Sequence, residues 1–292
     1  MIIGWICLIS CMNQSEQMSA KVEAIAKEVG GTLNLYALNL KTKKGYGIRE
    51  DSPCRTASTI KLPILVAVHA EVKAGRLAWN EKLVLGPMSR TGGAGILPEL
   101  GDGLALSLKD ASRLMMVLSD NTATNMILDR MGTDRVNGHL EDWGFKVTRS
   151  MRKIGAGGES KAFHMPDNKR PDGSTYGIGR STAREMVEIL SRLDAGTLIS
   201  PEDSKEILAV MGRQQGRDGL ARQDMKVKVA AKAGALDRLR SEVGILRTPK
   251  ATVAMAITFD DLPETNWSVD NKALVAIGRL SQALLEGLPD TP

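Results

Sequence analysis

The chain has 292 residues, 42% of them hydrophobic and 25% charged, which suits a globular protein with one large core or two lobes sharing an interface. A net charge of +5 without a dense Lys/Arg run, and only 3% aromatic residues, argue against nucleic-acid binding and leave room for a small anionic substrate. Three cysteines (Cys7, Cys11, Cys54) without a Cys-x-x-Cys pair, and three histidines (His69, His139, His164) far apart in sequence, give a metal site no support, and no cofactor is expected.

In chain order, the first stretch is "MIIGWICLISC". It is too short to span a bilayer as a helix and lacks a basic start. Its end, Leu8-Ile9-Ser10-Cys11, resembles a bacterial lipoprotein signal. The expectation is a periplasmic or secreted protein, with a signal-like or disordered segment over 1–17 and Cys11 as a candidate for lipid attachment.

Residues 15–29 repeat apolar positions at helical spacing and stop at Gly30-Gly31. Residues 32–40 alternate Leu33, Leu35 and Ala37 and read as a strand, with 45–50 as its hairpin partner. A helix is predicted over 58–75, with His69 packed inside it and Cys54 just before it as a buried thiol. The middle is helical over 107–119, where Ser107 and Asp110 suggest a cap, then over 122–131 and 134–144. Residues 150–180, rich in Gly, Lys, Asp and Pro, read as a long loop, a feature that is usually functional or disordered. Helices follow over 181–193 and over 200–212, where Pro201 takes the first helical position. Strands return at 226–234, 241–248 and 251–259, and a helix over 268–287 closes the chain.

Strands first and last with helices between predict an α+β fold. An antiparallel sheet built from both chain ends would carry an inserted all-helical lobe. The sheet lobe would comprise 18–57 and 198–292 and the helical lobe 58–197, with a site in the cleft between them.

Three motifs can reach such a cleft. Ser58-Thr59-Ile60-Lys61 opens the apolar helix, where residues i and i+3 share a face, so Ser58 and Lys61 would be neighbours. Ser119-Asp120-Asn121 lies where two helices meet. Lys232-Ala233-Gly234-Ala235 ends a strand. In this order and on this architecture the motifs resemble those of the class A serine β-lactamases and their relatives among the penicillin-recognising serine hydrolases. The resemblance covers nearly the whole chain from about residue 20, and "LSLKDASRLMMVLSDNTATNMILDRMG" is a close likeness of that family's central helices.

The resemblance implies acyl transfer to Ser58 and, as the first expectation, hydrolysis of a β-lactam by a monomer acting on a small molecule. An esterase, a D-alanyl-D-alanine peptidase and a covalent penicillin sensor are the alternatives. A serine hydroxyl needs a base, and Lys61 is the nearest. A lysine with its ordinary pKa of about 10.4 is a proton donor at neutral pH, and burial together with the cation Lys232 would lower that value. The amides of Ser58 and Ala235 match the family's two oxyanion donors. Ser119 would relay a proton to the leaving nitrogen, and Asn121 would position substrate or brace Lys61. Lys232, Ala233, Gly234 and Arg240 would hold the substrate, Arg240 through a carboxylate, with Arg238 as its competitor.

Two departures stand out. Ala233 replaces the family's preferred hydroxyl residue. The Glu-x-x-Leu-Asn segment, whose glutamate activates the deacylating water in class A enzymes, is absent from the loop before residue 181. The only glutamate there is Glu159, so Glu159, Asp167, Asp172 or no residue at all would do that work.

Overall fold

In a computed structural model, which describes residues 14–155, 157–222 and 227–290, the chain opens with helix α1, Gln14–Val29. Strands β1 (Thr32–Asn39), β2 (Gly45–Ile48) and β3 (Cys54–Arg55) follow. A short 3₁₀ turn, Ala57–Ile60, leads into α2, Lys61–Lys73. Strands β4 (Lys82–Val84) and β5 (Ala105–Ser107) precede three helices, α3 (Leu108–Val117), α4 (Asn121–Met131) and α5 (Thr133–Asp142). Next come β6 (Arg149–Ser150), β7 (Gly179–Ser181), α6 (Ala183–Asp194) and α7 (Pro201–Met211). Strands β8 (Lys228–Leu236), β9 (Leu239–Arg247) and β10 (Thr252–Asp260) and helix α8 (Lys272–Gly287) complete the order. The expected signal segment through Cys11 lies outside the described residues, as does the first residue of the strand expected over 226–234.

The main sheet has the order β2-β1-β10-β9-β8 and is antiparallel throughout. Its first and last thirds of chain meet where Leu35 pairs with Ile257. β10 is buried at every position because helices cover both faces of the sheet, so its sequence "TVAMAITFD" reads as a nearly continuous apolar run. The alternation survives in size. Val253, Met255, Ile257 and Phe259 join the cluster of Val22 and Ile25 from α1 and Leu280 and Leu284 from α8. Ala254 and Ala256 join the other cluster, with Val187 and Leu190 of α6, where small side chains let the helix sit close to the sheet.

α2 is apolar on every side, and Leu62, Ile64, Leu65, Val66 and Val68 are all buried, as expected of a helix at the centre of a molecule. Pro63 stands in its first turn, where a missing N–H removes no intrahelical bond. The helix begins at Lys61 rather than Ser58, because Thr59 N and Oγ1 both bond Thr56 O and wind the preceding residues into the tighter turn. Ser107 caps α3 as read from the sequence, accepting from Asp110 N at 3.0 Å. α6 starts at Ala183 because the Thr182 side chain accepts from Glu185 N, and α8 starts at Lys272 because Asn271 caps it. His69 is buried, with Nδ1 2.9 Å from Asp203 Oδ1 and its ring edge-on to Trp79. Cys54 is buried and free.

The 150–180 segment is tied down along its length. The Asn125 side chain accepts from Ile154 N and donates to Ile154 O, and Asn137 Nδ2 donates to Ser150 O. Arg170 reaches across to Asp261 at 2.6 Å, and Arg180 binds Asp167 at 2.8 Å.

Candidate active site

The three motifs meet in one cleft of about 740 Å³, whose walls include Ser58, Ser119, Asn121, Lys232, Gly234 and Arg240. Ser58 sits in the 3₁₀ turn, preceded by Ala57 at φ 46°, and Lys61 N donates to Ser58 O. Ser119, between α3 and α4, is also left-handed at φ 56°. Such a conformation costs a non-glycine residue about 1–3 kcal/mol and persists where surrounding contacts impose it. Here the clamp is Asp120. Its buried carboxylate accepts from Ala123 N as the cap of α4, and from Ile96 N and Leu97 N of the neighbouring loop. Asp120→Ala orphans three amides, so we expect a loss of at least about 3 kcal/mol of stability, read by denaturant unfolding.

Lys61 is fully buried. Its Nζ donates to Ser119 O at 2.6 Å, Asn121 Oδ1 at 2.8 Å and Ser119 Oγ at 3.1 Å. Lys232 Nζ reaches the same Ser119 Oγ at 3.0 Å and bonds Ala233 O at 2.7 Å. With both lone pairs of its hydroxyl engaged, Ser119 can direct its own proton into the cleft. Burial, then the charge of Lys232, hold the Lys61 ammonium well below the usual lysine range, and Asp120 opposes them. Burial likewise pushes Lys232 down to about 7, against the pull of Glu242. Asn121 braces Lys61 with its oxygen while its Nδ2 donates to Gly92 O at 2.9 Å.

β8 is an edge strand, and its free edge runs against the Ser58 turn. A Cβ on Gly234 would lie 2.8 Å from Thr56 O and 3.0 Å from Ser58 N, so only glycine permits this approach. Ala233 N donates outward from the sheet, to Gln214 Oε1 at 2.7 Å. Amides two residues apart in a strand point to the same edge, which turns the Ala235 N–H outward as well. Arg240, paired with Ala235, donates from Nη1 to Leu236 O and Leu239 O and from Nη2 to Asn266 O, and its guanidinium stacks 4.6 Å from the Trp267 ring. Its Nε–H has no partner among the described residues. Arg238 lies elsewhere, bonded to Leu262 O in a separate depression with Arg55 and Asp237.

The loop carboxylates are not among the residues that line this cleft. Glu159 is exposed. Asp167 is held by Arg180, whose hydrogen bond lowers its pKa, and Asp172 accepts from Ser174, which lowers its own. The sequence reading missed Gln214, Glu242 and Trp267, all of which line the cleft. A glutamate in an alternating strand carried no signal that it would be buried there.

Fold and site define a β-lactamase/transpeptidase-like serine enzyme. The chain belongs to the β-lactamase enzyme family, whose profile matches residues 17–288. It is similar to the structure of a β-lactamase from Sphaerobacter thermophilus, at 28% identity, TM-score 0.79 and coverage of 92% of this chain and 95% of that one. The β-lactamase regulatory protein BlaB of Streptomyces cacaoi is 25% identical over 269 residues, 80% of this chain and 86% of that protein. A penicillin-G acyl-enzyme complex of a PBP-A variant shares the fold at TM-score 0.76 and 24% identity, covering 91% of this chain and 95% of that one.

Proposed function

We infer that the protein opens β-lactam rings by acyl transfer to Ser58 and releases the product slowly. The observation that carries this reading is the shared Ser119 hydroxyl, bound at once by buried Lys61 and buried Lys232 on the wall of the Ser58 cleft. Neutral Lys61 takes the Ser58 proton as the hydroxyl oxygen attacks the lactam carbonyl. The outward amides of the Ser58 turn and Ala235 receive the developing oxyanion. Ser119 passes a proton to the departing lactam nitrogen and regains one from the lysines. Lys232 and Arg240 attract the substrate carboxylate.

Slow release follows from the loop. Glu159 is exposed, and Asp167 and Asp172 are committed to Arg180 and Ser174. That observation also favours a second reading, a covalent penicillin sensor, and the similarity to a protein described as a β-lactamase regulator is compatible with it. Intact mass spectrometry after exposure to benzylpenicillin tests both. A mass increase equal to the whole penicillin, decaying over minutes, supports the hydrolase, whereas an adduct that never decays supports the sensor. No adduct at any time point would overturn both. Glu159→Gln is expected to leave the adduct lifetime unchanged. A lifetime longer by about 10²–10⁴, the usual worth of general-base catalysis, would instead make Glu159 the deacylating base.

A further inference from the structure

The cleft does not end at the residues that carry the proposed chemistry. A second groove of about 470 Å³ adjoins it, lined by Arg113, Leu114, Val117, Leu118, Arg213 and Gln215. Val117, Leu118 and Gln215 line both cavities, and Gln215 N donates to Val117 O at 3.1 Å where the two walls meet. One wall is a face of α3 and its cap, on which Arg113 and Val117, and Leu114 and Leu118, stand four residues apart. The other is the chain that leaves α7, with Arg213 two residues beyond Met211, the last of that helix. Leu114, Val117 and Leu118 make a half-buried apolar strip between the two arginines, both of which are exposed.

The charges of this groove have one sign, and they are underused. The Arg213 side chain has no hydrogen-bond or ion-pair partner among the described residues. Arg113 faces Asp110 at 3.6 Å, which is beyond hydrogen-bond length, and the Asp110 carboxylate already accepts from Ser107 Oγ at 2.5 Å. No acidic residue is among those that line the groove, and Asp218, on the same segment as Gln215, lines the cleft instead.

Position decides which anion. Val117 and Leu118 lead directly into Ser119, and Gln215 follows Gln214, whose side chain holds Ala233 N beside Lys232. The groove therefore opens where Ser119 and Lys232 meet, the end of the cleft that the proposed mechanism gives to the lactam nitrogen and the substrate carboxylate. Resting on that reading of the cleft, we propose that the groove is a subsite for a second anionic group of the substrate, held by Arg113 and Arg213 and carried on an arm attached beside the carbon that bears the carboxylate. In a cephalosporin that arm stands at C3. The apolar strip packs its uncharged stem, and a planar guanidinium on either wall suits a sulfonate or carboxylate at its tip.

Cefamandole and cefonicid make the test, because they share the ring system and the acylamino arm and differ by one sulfonate at the end of the C3 arm. Ser58→Ala removes the nucleophile, so equilibrium binding of both can be read by calorimetry. Cefonicid is expected to bind Ser58→Ala about three- to tenfold more tightly than cefamandole, the scale of one or two exposed ion pairs. Raising the salt from about 50 to 500 mM should erode that difference, because the charges face water. Adding Arg113→Gln and Arg213→Gln should abolish it, with cefamandole binding changed far less. Equal binding of the two compounds to Ser58→Ala would overturn the proposal. So would a preference that survives both replacements, or a loss that falls on the two compounds alike. The acyl-transfer reading is judged separately, by the adduct of wild type with benzylpenicillin, which has no such arm. If that adduct never forms while cefonicid keeps its arginine-dependent preference, the chemistry fails and the subsite stands.

Discussion

Acylation by benzylpenicillin is expected to fall by about 10²–10⁴ in Lys61→Met, with Ser58→Ala marking the zero. Methionine fills a similar volume in the buried start of α2, so the loss reports the missing amine and not a collapsed helix. The pH dependence carries the sharper test. Lys61 is buried beside a second cation, and both influences disfavour its ammonium form. A base works only when neutral, so wild-type acylation should rise with pH through a pKa well below that of a free lysine and then level off. That rising limb should vanish in Lys61→Met. Stopped-flow acylation as a function of pH checks it, with circular dichroism to show that the variant is folded. A folded Lys61→Met acylating within tenfold of wild type would remove Lys61 from the mechanism and leave Lys232 as the base to examine.

Gly234→Val should be nearly as damaging, for a reason of space alone. The added Cβ would meet Thr56 O at 2.8 Å and Ser58 N at 3.0 Å, both backbone atoms of the turn that holds the nucleophile. The strand and the turn must separate, and the Ser58 amide and the Ala235 amide then no longer converge on one point. Losing one oxyanion donor typically costs about 10²–10³ in rate, and that is the expected fall in acylation. Gly234→Ala should give a milder version. Gly101→Ala, where a Cβ would meet nothing within 4 Å, should leave the rate unchanged and serves as the control. Equal rates in Gly234→Val and Gly101→Ala would mean that the close approach of β8 plays no part in the chemistry.

Much of this architecture is legible in residue order because it rests on local signals. Ser107 and Pro201 mark helix starts through their own side chains, and the alternation of Leu33, Leu35 and Ala37 marks β1 through the pleat, whereas the last helix, expected from 268, begins at Lys272 behind the Asn271 cap. Ser58, Lys61, Ser119, Asn121 and Lys232 are legible as a set because the three short motifs that carry them stand in the order of the family they resemble. What stays hidden is non-local. β3, β6 and β7 are two or three residues long and have no periodicity; they exist only because they pair with each other. The placement of Asp167 and Asp172 depends on Arg180 and on the local turn at Ser174, so their availability as bases could not be read from the loop sequence. Glu242 is hidden for the opposite reason. Its burial depends on Gly219, Gln214 and Leu220 folding over it, and nothing within β9 itself announces that cover.

The pairing of β1 with β10 also sets a timetable for synthesis. β1 is made long before its partner strand, which begins at Thr252, and α1 packs against α8, the last helix described. At about 5–20 residues per second, the first strand waits on the order of ten seconds or longer with its inner edge unpaired. The helices built from local contacts can form in that interval, with Lys61 on α2, Ser58 in the turn before it and Ser119 in the joint between α3 and α4. Lys232 and Gly234 arrive with β8, and the sheet closes only when β10 inserts between β9 and β1. Ser58 is therefore made early and meets Lys232 late, and a chain interrupted before β10 carries that serine with neither the second lysine held in place nor a strand to complete the cleft.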